Sequence, residues 1–163
     1  MRIVLIGFLY IVFMLFGCPT WLAAGCVPYL VRALTYSFFH ASILHLAING
    51  LSLWAVFPGR DKRREIRLLL AAYLIAVAVY PLGRPCVGIS NVLFAACGMR
   101  LNPSWLKSAN GILFLVLLLG MCFLPQFAGT QHLAAFFIGM LLERMYGSLD
   151  TLRRDVRRFT TNR

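Results

Sequence analysis

Gly88-Ile89-Ser90-Asn91-Val92-Leu93-Phe94-Ala95-Ala96-Cys97-Gly98-Met99-Arg100 is the stretch that decides the fold. It opens on a glycine and a hydroxyl side chain, and a charge closes it at Arg100. A helix rises ~1.5 Å per residue, so this run falls well short of the ~30 Å apolar thickness of a bilayer. Apolar blocks nevertheless lie on both sides of it, which places the serine at the top of a short helix inside a membrane.

Composition identifies that solvent. The 163 residues are 61% hydrophobic, with mean hydropathy +0.81, and the excess gathers into long blocks instead of alternating with polar faces. Such a chain is an integral membrane protein. The formal net charge of +11 would point to nucleic acid in a water-soluble domain. No basic stripe interleaved with base-reading polar residues accompanies it, so no nucleic-acid partner is expected.

Taken in order, Ile3 to Phe16 is continuously apolar behind Arg2, in the manner of a first span or a signal-peptide core. Leu22-Ala23-Ala24-Gly25-Cys26 loosely resembles a lipoprotein cleavage site. Residues 17–33, with Pro19, Trp21, Pro28, Tyr29 and Arg32, read as a broken interfacial loop. A second span is expected over Leu34 to Phe57, a third over Ile66 to Leu82, and the short fourth from Gly88. Pro81, Gly83 and Pro85 interrupt the helix before it. A fifth, Gly111 to Leu124, ends at Pro125, and a sixth runs from Ala128 to Tyr146.

The expectation is thus an all-α membrane protein: a six-transmembrane-helix bundle over residues 1–147, with a short, centrally buried fourth helix, and a basic cytoplasmic tail over 148–163. With both termini cytoplasmic, only Arg32 and Arg84 of the 16 basic residues fall outside, as the positive-inside rule requires. The tail places Leu149, Leu152, Val156 and Phe159 at helical spacing among Arg153, Arg154, Arg157 and Arg158. It reads either as a helix lying on anionic lipid or as a solvated basic segment.

Polar side chains at membrane depth are costly and by default face the bundle interior. Counting from the cytoplasmic charges Arg100, Glu143 and Arg60 sets Ser90, His132 and Asn49 each ~15–17 Å above the inner boundary. His45 comes out one turn higher. These types suit acyl transfer. A serine hydroxyl needs a base within hydrogen-bond reach, and His132 is the candidate. Asn49 and His45, four apart on one helix face, and the Ser90 backbone N–H could all donate to an oxyanion. Each residue also has a plain structural role open to it: Ser90 as a helix N-cap, His132 as a packed polar residue, Asn49 as a bond between spans.

These residues resemble the rhomboid family of intramembrane serine proteases. His40-Ala41-Ser42-Ile43-Leu44-His45-Leu46-Ala47-Ile48-Asn49 matches the second-span pattern of that family. Gly88-Ile89-Ser90-Asn91 approximates its Gly-x-Ser-Gly, Ala95 and Gly98 follow in familiar places, and His132 stands where the sixth span carries the base. Arg32, Thr35, Phe38 and His40 look like the end of its first-loop signature.

The resemblance implies a Ser90–His132 dyad, without a carboxylate, that cleaves transmembrane protein substrates near the outer face. It implies an oxyanion hole from His45, Asn49 and the Ser90 amide, with His40, Gly88, Phe94 and Asn91 in supporting positions. His40 would hold the first loop against the second span. Membrane lipids are the other partners, and no cofactor or metal is implied.

Four departures stand out. Asn91 replaces a glycine, which sets a polar side chain where close helix approach is usual. Val31 stands for a tryptophan, Phe94 for a tyrosine that packs on the base, and Ala135 and Gly139 for a glycine pair.

The alternative on the same scaffold is an inactive rhomboid-like protein that binds client transmembrane helices, for which Asn91 is the motive. A metal enzyme using the three histidines is disfavoured, because His-Glu-x-x-His is absent and His40 and His45 would point ~140° apart on a helix. Cys18, Cys26 and Cys86 could lie outside, where a disulfide is chemically possible, while Cys97 and Cys122 read as packing residues.

Overall fold

The structure, a computed structural model, describes residues 2–17, 28–57, 59, 61–83, 86–124 and 128–161, the side chains of 103 and 148–161 excepted. Among them every regular element is helical: α1 (Arg2–Phe16), α2 (Tyr29–Thr35), α3 (Ile43–Val56), α4 (Lys62–Val79), α5 (Ser90–Arg100), α6 (Ala109–Gly120) and α7 (Gly129–Thr161). Cys18, Cys26, Arg60, Arg84, Pro85 and Pro125, which figure in the sequence expectations, lie outside the described residues.

Local chemistry sets the boundaries. The Asp61 side chain accepts the Arg64 amide and starts α4, and Ser108 accepts the Gly111 amide and starts α6, each satisfying a donor that a helix N-terminus leaves open. α4 tightens into a 3-10 turn at Tyr80–Leu82, where Pro81 has no amide to continue the ladder. With that turn, Lys62–Leu82 spans 21 residues and is the one helix among the described residues long and apolar enough to cross a bilayer unaided. α1 and the pair formed by α6 and the turn Met121–Phe123 are apolar but shorter.

The second span differs from expectation. Instead of one helix over Leu34 to Phe57, α2 runs into a 3-10 turn at Tyr36–Phe38, the chain extends at Phe39, and α3 starts only at Ile43. The two halves meet at a 74° bend. The cause is local: Ser42 is extended and its hydroxyl accepts the His45 amide, so the cap wins over the apolar continuity of the surrounding sequence. α2 also occupies the end of what reads as an interfacial loop.

α5 is the short helix of the opening stretch, with 11 residues, and Asn91, Val92, Leu93, Ala95, Ala96 and Gly98 are all buried. It packs most extensively on α7, then on α4, and also on α3. Small residues permit this. A methyl at Gly98 would run into the Phe136 carbonyl, and one at Gly139 into the Ala95 carbonyl, while Ala95, Ala96 and Ala135 have no exposed surface. Backbones thus approach closely along a small-residue face.

The interior is mostly apolar but holds several polar side chains, while many large apolar side chains lie outside. His40, Asn49, Asn91, Gln131 and His132 are buried, whereas Leu15, Leu51, Leu74 and Leu117, from four different helices, are more than half exposed. At the C-terminus α7 is one 33-residue helix, which runs on past residue 147.

Candidate active site

Ser90 is the first residue of α5, and Ile89 takes the cap position. Its hydroxyl lies 2.8 Å from His132 Nε2. The turn leading to it depends on Gly88, whose φ of +117° lies where side-chain-bearing residues are strained. The Gly88 amide donates to the Tyr36 carbonyl at 3.0 Å, which ties the approach to α5 to the 3-10 turn after α2.

His132 sits in the first turn of α7, its own amide bonded to the Ala128 carbonyl at 2.9 Å. Phe94 follows Ser90 by one helical turn and therefore shares its face. Its ring stacks on the imidazole, with centroids 4.6 Å apart and planes 27° apart. The histidine ring is clamped without a polar partner at its far side, since Nδ1 is buried and unbonded among the described residues. Nε2 can accept the serine proton in the tautomer that carries the ring proton on Nδ1.

Two further donors converge beside this pair. His45 Nδ1 accepts the Ala41 amide in a long bond of 3.4 Å, which leaves the ring proton on Nε2. That atom faces Gly88: a methyl at Gly88 would stand 2.6 Å from His45 Cε1, 2.9 Å from its Nε2 and 3.3 Å from Asn49 Nδ2. Asn49, one turn along α3, is 5% exposed and its Nδ2 has no partner among the described residues. A buried amide without a partner is expensive, and this one is aimed at the backbone just ahead of Ser90. Gly88→Ala should therefore cost ~1–3 kcal/mol of stability and displace His45. Chemical denaturation checks the first effect, and a change in the His45 ring resonances checks the second.

Ser90, His132, Phe94, Gly88, His45 and Asn49 thus come together from three helices and one turn. His40 is brought beside them but not on a helix face. It precedes α3 on the extended segment, fully buried, with its ring edge-on to His45 at 5.2 Å. The expected ~140° separation of the two rings fails because a helical wheel does not apply before Ser42. Among the described residues no three His, Cys, Asp or Glu side chains gather as a metal site would require.

Asn91 departs furthest from expectation. It does not hold apart the helices that carry Ser90 and His132 but bridges them beside the dyad. Its amide donates to Tyr36 Oη at 2.9 Å and Gln131 Oε1 at 3.1 Å. Cys86 joins the same group by donating to Gln131 Oε1 at 2.8 Å. The close approach of α5 and α7 falls instead at Gly98 and Gly139, two turns lower. Gln131 and Tyr36 are the site-flanking residues that pattern reading missed. The available signal was a glutamine in an apolar run immediately before His132.

Cys86, Cys97 and Cys122 are free thiols. Compared with known proteins, the chain matches no protein-family model and no curated sequence.

Proposed function

We propose that this chain is an intramembrane serine protease of the rhomboid type, hydrolysing peptide bonds in or near transmembrane segments of membrane proteins. The observation that carries the proposal is the 2.8 Å contact between Ser90 Oγ and His132 Nε2 beside the unpartnered Asn49 amide. A serine hydroxyl hydrogen-bonded to an imidazole nitrogen, with donors aimed at the adjacent space, is the arrangement acyl transfer needs. The motif resemblance supports the same reading.

In this mechanism His132 Nε2 takes the hydroxyl proton as Ser90 Oγ attacks the scissile carbonyl carbon. The negative charge that develops on the carbonyl oxygen is met by His45 Nε2–H, Asn49 Nδ2–H and the Ser90 amide at the positive end of α5. His132 then protonates the leaving amine, and an acyl-serine remains. A water, deprotonated by the same ring, releases the acid product. Stacking on Phe94 keeps the imidazole in register through both halves. Asn49→Ala is expected to lower kcat by ~10²-fold with little change in KM, because its amide acts on charge that exists only in the transition state. Steady-state cleavage kinetics check this.

The proposed setting is a multi-pass bundle with both termini cytoplasmic and the bent α2–α3 pair as its second crossing. Leu15, Leu51, Leu74 and Leu117 would then face lipid, and α5 would need no full crossing because other helices surround it. The basic residues of 148–163 would meet the anionic cytoplasmic leaflet.

The inactive alternative was motivated by Asn91. With that side chain bonded to Tyr36 and Gln131, no observation favours it. The test is cleavage of single-span reporter proteins in proteoliposomes. Wild type should produce two fragments and Ser90→Ala none; a folded wild type that leaves a broad reporter panel intact overturns the protease.

A further inference from the structure

We propose that Asn91 and Gln131 form a positioning pair that sets the alignment of Ser90 with His132; its catalytic consequence rests on the protease reading above. The two residues are the direct chain neighbours of the dyad. Asn91 follows Ser90 on α5, and Gln131 precedes His132 on α7. Both have no exposed surface.

The hydrogen bonds run in one consistent direction. Asn91 Nδ2 spends its two protons on Tyr36 Oη at 2.9 Å and Gln131 Oε1 at 3.1 Å. Tyr36 then donates to the Ala76 carbonyl at 3.0 Å, and Gln131 Nε2 donates to the Tyr80 carbonyl at 2.7 Å. Both branches end on the backbone of α4 and its terminal turn. Each half of the dyad is therefore fastened, one residue away, to the neighbour of the other half and to a third helix.

The small-residue contact at Gly98 and Gly139 cannot do this. It sets the distance between α5 and α7 two turns below Ser90 and does not by itself fix the rotation of the helix ends that carry the dyad. Asn91–Gln131 is a second direct side-chain bond across the two helices at the level of the reaction, beside the Ser90–His132 contact itself. Inside a low-dielectric bundle, a lost partner has no ready substitute in solvent. A misplacement of ~1 Å at a reacting pair can cost ~10²-fold in rate.

The test uses full-length protein in lipid nanodiscs with ¹⁵N-labelled histidine, comparing wild type, Asn91→Ala, Gln131→Met and the double variant. Gln131→Met keeps the side-chain volume and serves as the folding-safe variant should Asn91→Ala not fold. Ser90→Ala supplies the His132 signature of a ring without its hydroxyl partner. A fluorophosphonate probe gives the maximal labelling rate and its half-saturating concentration.

Each single variant should move the His132 Nε2 resonance toward the Ser90→Ala position. Each should also lower the maximal rate by about tenfold to a hundredfold at unchanged half-saturation. The double variant should lose clearly less than the product of the two single losses, since both singles remove the shared Asn91–Gln131 bond while each also removes bonds of its own. Folded variants that keep the wild-type resonance and rate overturn the pair, as do losses that multiply in the double. A wild type that does not label, but whose His132 resonance still moves in Gln131→Met, upholds the pair and rejects the protease.

Discussion

His132→Ala is expected to slow reporter cleavage and fluorophosphonate labelling by at least ~10³-fold, with the protein still folded. The reason is the single contact His132 makes with the nucleophile. Its Nε2 lies 2.8 Å from Ser90 Oγ, and no other described side chain stands ready to take that proton. A serine hydroxyl without a base is a poor nucleophile at neutral pH, and dyad partners act as a unit, so removal of one forfeits nearly the whole effect. The ring is 5% exposed and stacks on Phe94, so its truncation also leaves a small cavity costing ~1–3 kcal/mol. The two effects separate cleanly, because a denaturation midpoint reads the cavity and the labelling rate in folded protein reads the chemistry. A variant that labels within tenfold of wild type removes His132 from the base role.

The second large effect is structural and lies two turns below the dyad. Gly98→Val and Gly139→Val should each destabilise the bundle by ~3 kcal/mol or more, because the obstruction is backbone. A side chain at Gly98 meets the Phe136 carbonyl, and one at Gly139 meets the Ala95 carbonyl; neither neighbour can rotate out of the way as a flexible side chain would. α5 and α7 must move apart, and Ser90 and His132 ride on those two helices. Activity should therefore fall even under conditions where the variants stay folded. Gly7→Ala in α1 is the control, since nothing lies within 4 Å of the added methyl, and the change should be neutral or stabilising by up to ~1 kcal/mol through helix propensity alone. Thermal or denaturant unfolding in detergent checks all three. Gly98→Val at wild-type stability contradicts the close packing.

Much of the site could be read from the chain because helical rise is regular. Counting from Arg100 and from Glu143 put Ser90 and His132 at one depth, and they meet. The same count from Arg60 put Asn49 level with them, and it faces Gly88. The helical class of the described residues follows equally from long apolar blocks, and the shortness of α5 from the distance between Ser90 and Arg100. The six crossings belong to the functional proposal, because helix length alone identifies Lys62–Leu82.

What escaped sequence reading depended on side-chain direction. The bend before α3 comes from one hydroxyl, Ser42, capping against an otherwise apolar run, and hydropathy cannot register a cap. Once that cap forms, His40 leaves the helix and its ring meets His45, which no helical wheel shows. Asn91 was expected to crowd the dyad because it replaces a small residue. Its rotamer instead follows Tyr36 and Gln131, two partners distant in sequence. The helical spacing of Leu149, Leu152, Val156 and Phe159 was legible in the tail; that the helix is continuous with α7 agrees with the absence of any glycine or proline from Ser148 to Thr161.

The central claim is that Ser90 is an activated nucleophile, and peptide mapping after fluorophosphonate treatment measures this most directly. Folded wild type in lipid nanodiscs should gain one adduct, with the phosphorus bonded to Ser90 Oγ and fluoride released, and Ser90→Ala should gain none. A folded wild type that gains no adduct, or gains one elsewhere that persists in Ser90→Ala, contradicts the account.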